Sequence, residues 1–155
     1  MSQSRLAIGS FQVWELALRR LAHLLQSGIA PERAIFLALS GVFSAKPANA
    51  VALHDIVELP FHELGERVYC SAGPLATELT RGASERTLTL EHSLSCWLSP
   101  RPAERIASYV RRRNIVMGVR LTKHEHERPV CLTLLGASCT PVEVHDLARS
   151  HHWTS

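Results

Sequence analysis

The stretch SPRPAERIASYVRRRNIVMGVRL, residues 99–121, carries two periodicities back to back. Ala103, Ile106, Ala107 and Val110 recur at three and four residues, the spacing of one helix face. Ser99 stands where an N-cap belongs, and Pro100 suits the first turn, where its missing N–H has no intrahelical partner. Arg111, Arg112 and Arg113 fall in the last turn, facing the negative end of the macrodipole, and Asn114 is placed for a left-handed cap. The period then drops to two: Ile115, Met117, Val119 and Leu121 alternate with Val116, Gly118 and Arg120, as in a strand. A helix feeding a strand points away from the all-α and all-β classes.

Upstream, Phe11, Trp14, Leu18, Leu21 and Leu25 form a helical stripe, with Ser10 to cap its start and Gly28 to end it. Pro31 opens a second predicted helix through Ile35, Phe36, Leu39 and Phe43. Ala50 to Leu59 fits a third helix or a strand. Arg67 to Ala72 reads as a strand, and Gly73-Pro74 turns the chain into a short helix, Leu75 to Thr80, ended by Gly82. Between Thr87 and Ser99, Leu88, Leu90, Leu94, Cys96 and Leu98 alternate with Thr87, Thr89, Ser93, Ser95 and Trp97, predicting a strand bent near His92. Val130 to Leu135 reads as a buried strand. Thr140 starts a final helix, with Thr140-Pro-Val-Glu143 as its capping box. The expected fold is α+β: N-terminal helices followed by a mixed or antiparallel sheet with interspersed short helices. Residues 1–155 are expected to form a single domain, a helical lead-in over 1–60 packed on a strand-rich part over 61–155.

At 155 residues and 46% apolar content, the chain has the length and composition of one globular domain. A formal charge of +3 admits an acidic partner without demanding one. Cys70, Cys96, Cys131 and Cys139 form no CxxC pair, so neither a disulfide framework nor a zinc ribbon is indicated. The N-terminus lacks the pattern of a secretory signal and no uncharged stretch is long enough to span a bilayer, so a cytoplasmic protein with no membrane partner is expected. Arg111, Arg112 and Arg113 can meet phosphates or an acidic partner, but a solvated helix end is the commoner reason for such a triplet. No interleaved aromatic series accompanies them, and nucleic acid is not an expected partner.

His124-Glu125-His126-Glu127, with Cys131 and Cys139 nearby, contains zinc-ligand types. His-x-His is also common in loops and the cysteines lie in apolar runs, so no metal is assigned. Glu143 has a catalytic alternative to its capping role. Cys70 follows a strand beside Ser71 and Gly73, where a nucleophile can be exposed, yet no histidine is paired with it by spacing.

Four segments together resemble the small bacterial and phage mono-ADP-ribosyltransferases. They are Val68-Tyr69-Cys70-Ser71; Leu94-Ser95-Cys96-Trp97-Leu98-Ser99-Pro100 leading into Ala103 to Ala107; Ile115 to Leu121; and Glu125-His126-Glu127 before Val130 to Leu135. The resemblance runs from about Val68 to Val144 and implies NAD as cofactor and ADP-ribosyl transfer to a protein, or a degenerate pocket reused for binding. It implies that Glu127 holds the ribose hydroxyl and stabilises positive charge as nicotinamide leaves, that Glu125 engages the acceptor, and that Ser95 supports the nicotinamide-ribose pocket. Ser93, Trp97 and Cys70 would line the cofactor site, with Cys70-Ser71 standing where the family has arginine-glycine.

A different class of function is compatible with the same residues: a non-catalytic interaction or regulatory protein of a bacterium, phage or mobile element. Its docking face would be the stripe Phe11, Trp14, Leu18 and Leu21, although core packing is the commoner fate of such a stripe.

Overall fold

The computed structural model describes residues 4–47, 56–71, 89–95 and 98–147. In chain order these form β1 (Arg5–Phe11), α1 (Trp14–Gln26), a 3₁₀ turn (Pro31–Arg33), β2 (Ala34–Leu39), α2 (Ser40–Ser44), β3 (Ile56–Glu63) and β4 (Glu66–Ser71). There follow α3 (Leu90–Leu94), α4 (Pro100–Arg111), β5 (Ile115–Leu121), a 3₁₀ turn (His124–His126), α5 (Glu127–Leu135) and β6 (Glu143–Asp146). The strands make one six-stranded sheet in the order β3-β4-β2-β5-β1-β6. Every neighbouring pair is antiparallel, and the protein is α+β.

Because β5 lies between β1 and β2, those two strands run the same way and α1 connects them. Likewise β1 separates β5 from β6, which α5 connects. Two interleaved β-α-β units result, a split βαβ core. The β3–β4 hairpin widens it along the edge of β2.

Both faces of this sheet are covered. On one, Trp14, Ala17, Leu21 and Leu24 of α1 and Val130 and Leu134 of α5 pack on Ala7, Phe36, Met117 and Val119. On the other, Leu90 and Leu94 of α3 and Ala103, Ile106 and Val110 of α4 pack on Leu6, Ile8, Leu37 and Val116. Buried on both sides, the central strands have no polar face to show.

That burial explains the main corrections. Residues 34–39 form a strand, not the helix expected through Ile35 and Phe43, because a doubly buried strand is a continuous apolar run that loses its period of two. The chain's first described element is a strand, and residues 1–60 supply core strands to the sheet instead of a helical lead-in. Ser10 and Phe11 belong to β1, while Val13 precedes α1. Of the stretch 50–59, left open between helix and strand, the described residues Ile56–Leu59 lie in a strand, and residues 50–55 fall outside the described residues. Instead of a strand over 87–99, the chain forms α3, started by Thr89, whose Oγ1 accepts from the His92 N–H at 3.1 Å. Residues 127–135 are helical, not a strand. Thr140 caps no helix; its hydroxyl lies 2.7 Å from Ser10 Oγ, and Glu143 begins a strand. The helix expected at 75–80 and the tail histidines lie outside the described residues.

Several sequence features are found as read. Gly28, at φ +93°, ends α1, and the Ile29 N–H returns to the Leu24 carbonyl. Helix α4 starts at Pro100, but its left-handed residue is Arg113, at φ +64°, one before the expected Asn114. There the Asn114 N–H reaches the Tyr109 carbonyl and the Arg113 N–H the Val110 carbonyl, closing a Schellman motif. Among the described residues no helix is long and apolar enough to cross a membrane.

Candidate functional site

At one end of the sheet, chain segments far apart in sequence meet around a cleft of about 350 Å³. Arg5 opens β1, Thr122, Lys123 and His124 follow β5, Glu127 opens α5 and Asp146 closes β6. Arg5 and Asp146 are ladder partners, which fixes them side by side. The guanidinium spans two acids: Nη1 is 2.7 Å from Glu127 Oε1 and Nε is 3.0 Å from Asp146 Oδ1. His124 Nδ1 lies 3.4 Å from Glu127 Oε2. One turn along α5, burial raises the Cys131 thiol pKa and the Glu127 charge adds to the rise.

Of the residues expected to share a site, Glu127 lines this cleft. Glu125 is exposed on the adjoining 3₁₀ turn. Cys70 is fully buried in β4, and desolvation pushes its thiol pKa up to about 12, so it is no nucleophile. Its register runs from Leu37 through Val116 to Ser10, and Arg5 lies further along β1. Three strand spacings of about 4.8 Å and five residues of about 3.3 Å put roughly 20 Å between Cys70 and the Arg5–Glu127 pair. Ser93 is buried in α3, and Ser95 ends that helix, its hydroxyl donating to the His92 carbonyl at 2.7 Å. Helix α3 rests on α4 and β3, toward the opposite edge of the sheet from β6. Cys70, Ser95 and Glu127 therefore do not converge on one hollow. Trp97 lies outside the described residues.

The other candidate surfaces also change character. Phe11, Trp14 and Leu21 are core residues, so the α1 stripe is not a docking face. In the basic triplet, Arg113 Nη2 is 2.6 Å from Glu66 Oε2 and Arg111 Nη1 is 3.7 Å from Glu63 Oε2. The hairpin thus takes two of the three charges expected to meet an acidic partner. The Gly41 N–H, with the Arg113 guanidinium, holds the Glu66 carboxyl below its ordinary range. His124, His126, Cys131 and Cys139 assemble no metal site: no group of three or more His, Cys, Asp or Glu that could hold an ion occurs among the described residues.

A second polar cluster sits on the α4 face. Arg105 Nε donates to Glu143 Oε1 at 2.9 Å, Tyr109 donates its hydroxyl proton to Oε2 at 3.2 Å, and His145 Nε2 is 3.0 Å from Oε1. Sequence reasoning missed Arg5, Lys123 and Asp146 altogether, since each occupies the end of a different strand or loop and no spacing links them.

No family model, curated protein or solved structure matches this chain.

Proposed function

We propose that the chain is a non-catalytic interaction protein that docks a protein partner at the charged end of its sheet. The observation that carries this reading is the cleft's composition. Its charged lining residues comprise both signs, Arg5 and Lys123 against Glu127 and Asp146. The His124 and Asp146 side chains are 92% and 60% exposed. Among the described lining residues, five of seven carry charged or imidazole side chains, Arg5, Lys123, His124, Glu127 and Asp146. Exposed charges of mixed sign fit complementary side chains on a protein surface, where they set register and association rate.

Transfer of ADP-ribose from NAD remains the second reading, favoured by the position of Glu127 in the cleft wall. NAD itself rests on the resemblance alone, and the carboxylate is already engaged by Arg5.

One set of experiments separates the two. In the docking reading, labelled NAD transfers no label and gives no binding heat. The chain purified from its native cells carries a stoichiometric protein whose affinity falls with salt and drops at least tenfold in Lys123→Glu and in Asp146→Lys. Label transfer that disappears in Glu127→Gln establishes the transferase instead, and a monomer with no bound protein removes the docking reading.

A further inference from the structure

The sheet ends in β3 on one side and β6 on the other, and the two edges are built differently. An unpaired edge strand offers a row of N–H and C=O groups to any other strand, and proteins blunt it with proline, bulges or unpaired charge. Strand β3 carries Pro60 at mid-strand, and its ladder with β4 shifts register between Glu58 and His62. Strand β6 has neither device. Its acids are claimed from within the chain, Glu143 by Arg105 and Asp146 by Arg5.

Which groups β6 turns outward follows from its ladder. The Leu147 N–H donates to the Ser4 carbonyl at 2.9 Å, so Glu143 and His145, which share its parity, turn their backbone groups to β1. Val144 and Asp146 therefore turn theirs to the open side, where no described strand lies. The helix on that edge is also bare on its outer side. Helix α5 meets α1 along one flank, where a Cβ on Gly136 would lie 2.7 Å from Arg20 Nη1. At about 100° per residue, Leu135 and Cys131 fall on the opposite flank, toward the β6 edge, with the exposed Leu132 beside Leu135.

We propose that β6 pairs antiparallel with β6 of a second copy of this chain, about a two-fold axis at Val144, joining the two sheets into one. Parity and charge select this register. Outward backbone groups must meet outward groups, which leaves axes through Glu143, Val144 or His145. The first opposes two carboxylates, and the third opposes two imidazoles. The axis at Val144 sets Glu143 of each copy across from the partner's His145, an acid facing a base. On the other face the same axis brings Val144 against its copy. Helices α1 and α5 together cover β2, β5, β1 and β6, two strand spacings of about 4.8 Å per helix, so the second α5 sits about 10 Å from the first. At that distance Leu135 and Cys131 meet their copies, and flanks exposed in one chain are buried in the pair. The pairing does not depend on another protein docking at the charged cleft.

The test is sedimentation velocity of the purified full chain over a concentration series. A dimer is expected, with a melting temperature that rises with protein concentration. Val144→Pro removes an N–H that the ladder to β1 does not use, and is expected to leave a folded monomer with unchanged circular dichroism. Leu135→Glu, at an exposed position, should raise the dissociation constant at least tenfold without lowering the melting temperature of the dilute monomer. If Val144→Pro fails to fold, Leu135→Glu decides alone. A parent that stays monomeric at every concentration overturns the proposal, as does a dimer that either folded variant leaves intact.

Discussion

Arg105 and Glu143 are joined in a forked ion pair across α4 and β6, with Arg105 Nε 2.9 Å from one carboxylate oxygen and 3.2 Å from the other. Burial pushes the Glu143 carboxyl upward, but the Arg105 hydrogen bonds and charge, with His145, outweigh it and hold the group below its ordinary range. A depressed carboxyl contributes stability that is complete above its unfolded value, about 4.3, and is lost as pH falls through the folded one. The melting temperature of the parent should therefore fall more steeply from pH 5 to pH 3 than that of Glu143→Gln. At pH 7 the variant should be less stable by about 1–2 kcal/mol, having weakened a charged hydrogen-bond cluster. Parallel melting curves over that range would show that Glu143 is not depressed.

Cys70 and Cys139 should differ sharply in reactivity. The first is sealed in the core with a thiol pKa near 12, and the second is exposed. In the folded protein at pH 8, iodoacetamide should modify Cys139 and leave Cys70 untouched until denaturant is added. Peptide mass spectrometry reads both sites, and rapid native labelling of Cys70 is the result that contradicts its placement.

Trp14 should behave as a core residue. Its ring centroid lies 5.2 Å from Phe43 and 5.8 Å from Phe36, and its indole N–H donates to the Val42 carbonyl at 2.7 Å. Trp14→Ala is expected to reduce unfolding free energy by about 3–5 kcal/mol. Denaturant titration measures it; a loss below 1 kcal/mol would return the ring to the surface.

The β3–β4 hairpin turns through Leu64 and Gly65, at φ +52° and +77°. Positive φ at both central positions defines a type I′ turn, for which Asn-Gly is the favoured pair. Leucine pays a steric penalty there, and Leu64 is 58% exposed, so packing does not justify it. Leu64→Asn should raise stability by about 0.5–1 kcal/mol, and Gly65→Ala should lower it by about 1 kcal/mol. Opposite signs in chemical denaturation are the check.

Gly118 marks a close approach in β5. A Cβ there would lie 3.1 Å from Ile35 Cγ2 and 3.2 Å from Leu6 Cδ1. Both neighbours are side-chain ends that can shift, so Gly118→Ala should be nearly neutral. Gly118→Val should destabilise by about 1–3 kcal/mol through overpacking. Equal effects of the two substitutions would mean that the space is not the determinant.

Helices α1 and α4 were legible from the sequence because each lies on the sheet by one face, leaving an amphipathic stripe and end signals such as Gly28 and Pro100. Strand β5 was legible from its alternation, although both its faces are buried. Strand β2 was not: its apolar run carries no period, and nothing local separates it from a buried helix. Helix α5 was misread for the related reason that nine residues with Leu132 and Leu135 exposed make a poor amphipathic pattern. Glu143 was misassigned because the capping spacing from Thr140 is a local motif, while the partners that claim it, Arg105 and Tyr109, are remote in sequence.

From its sequence alone this protein is an α+β chain of one domain's length, with α1, α4, β4 and β5 in place, because hydrophobic period and helix-end residues act over a few neighbours. The tertiary structure alone decided that Cys70 lies in the core, while Arg5 spans Glu127 and Asp146. Those relations are set by antiparallel register, which joins residues by strand order and not by distance along the chain.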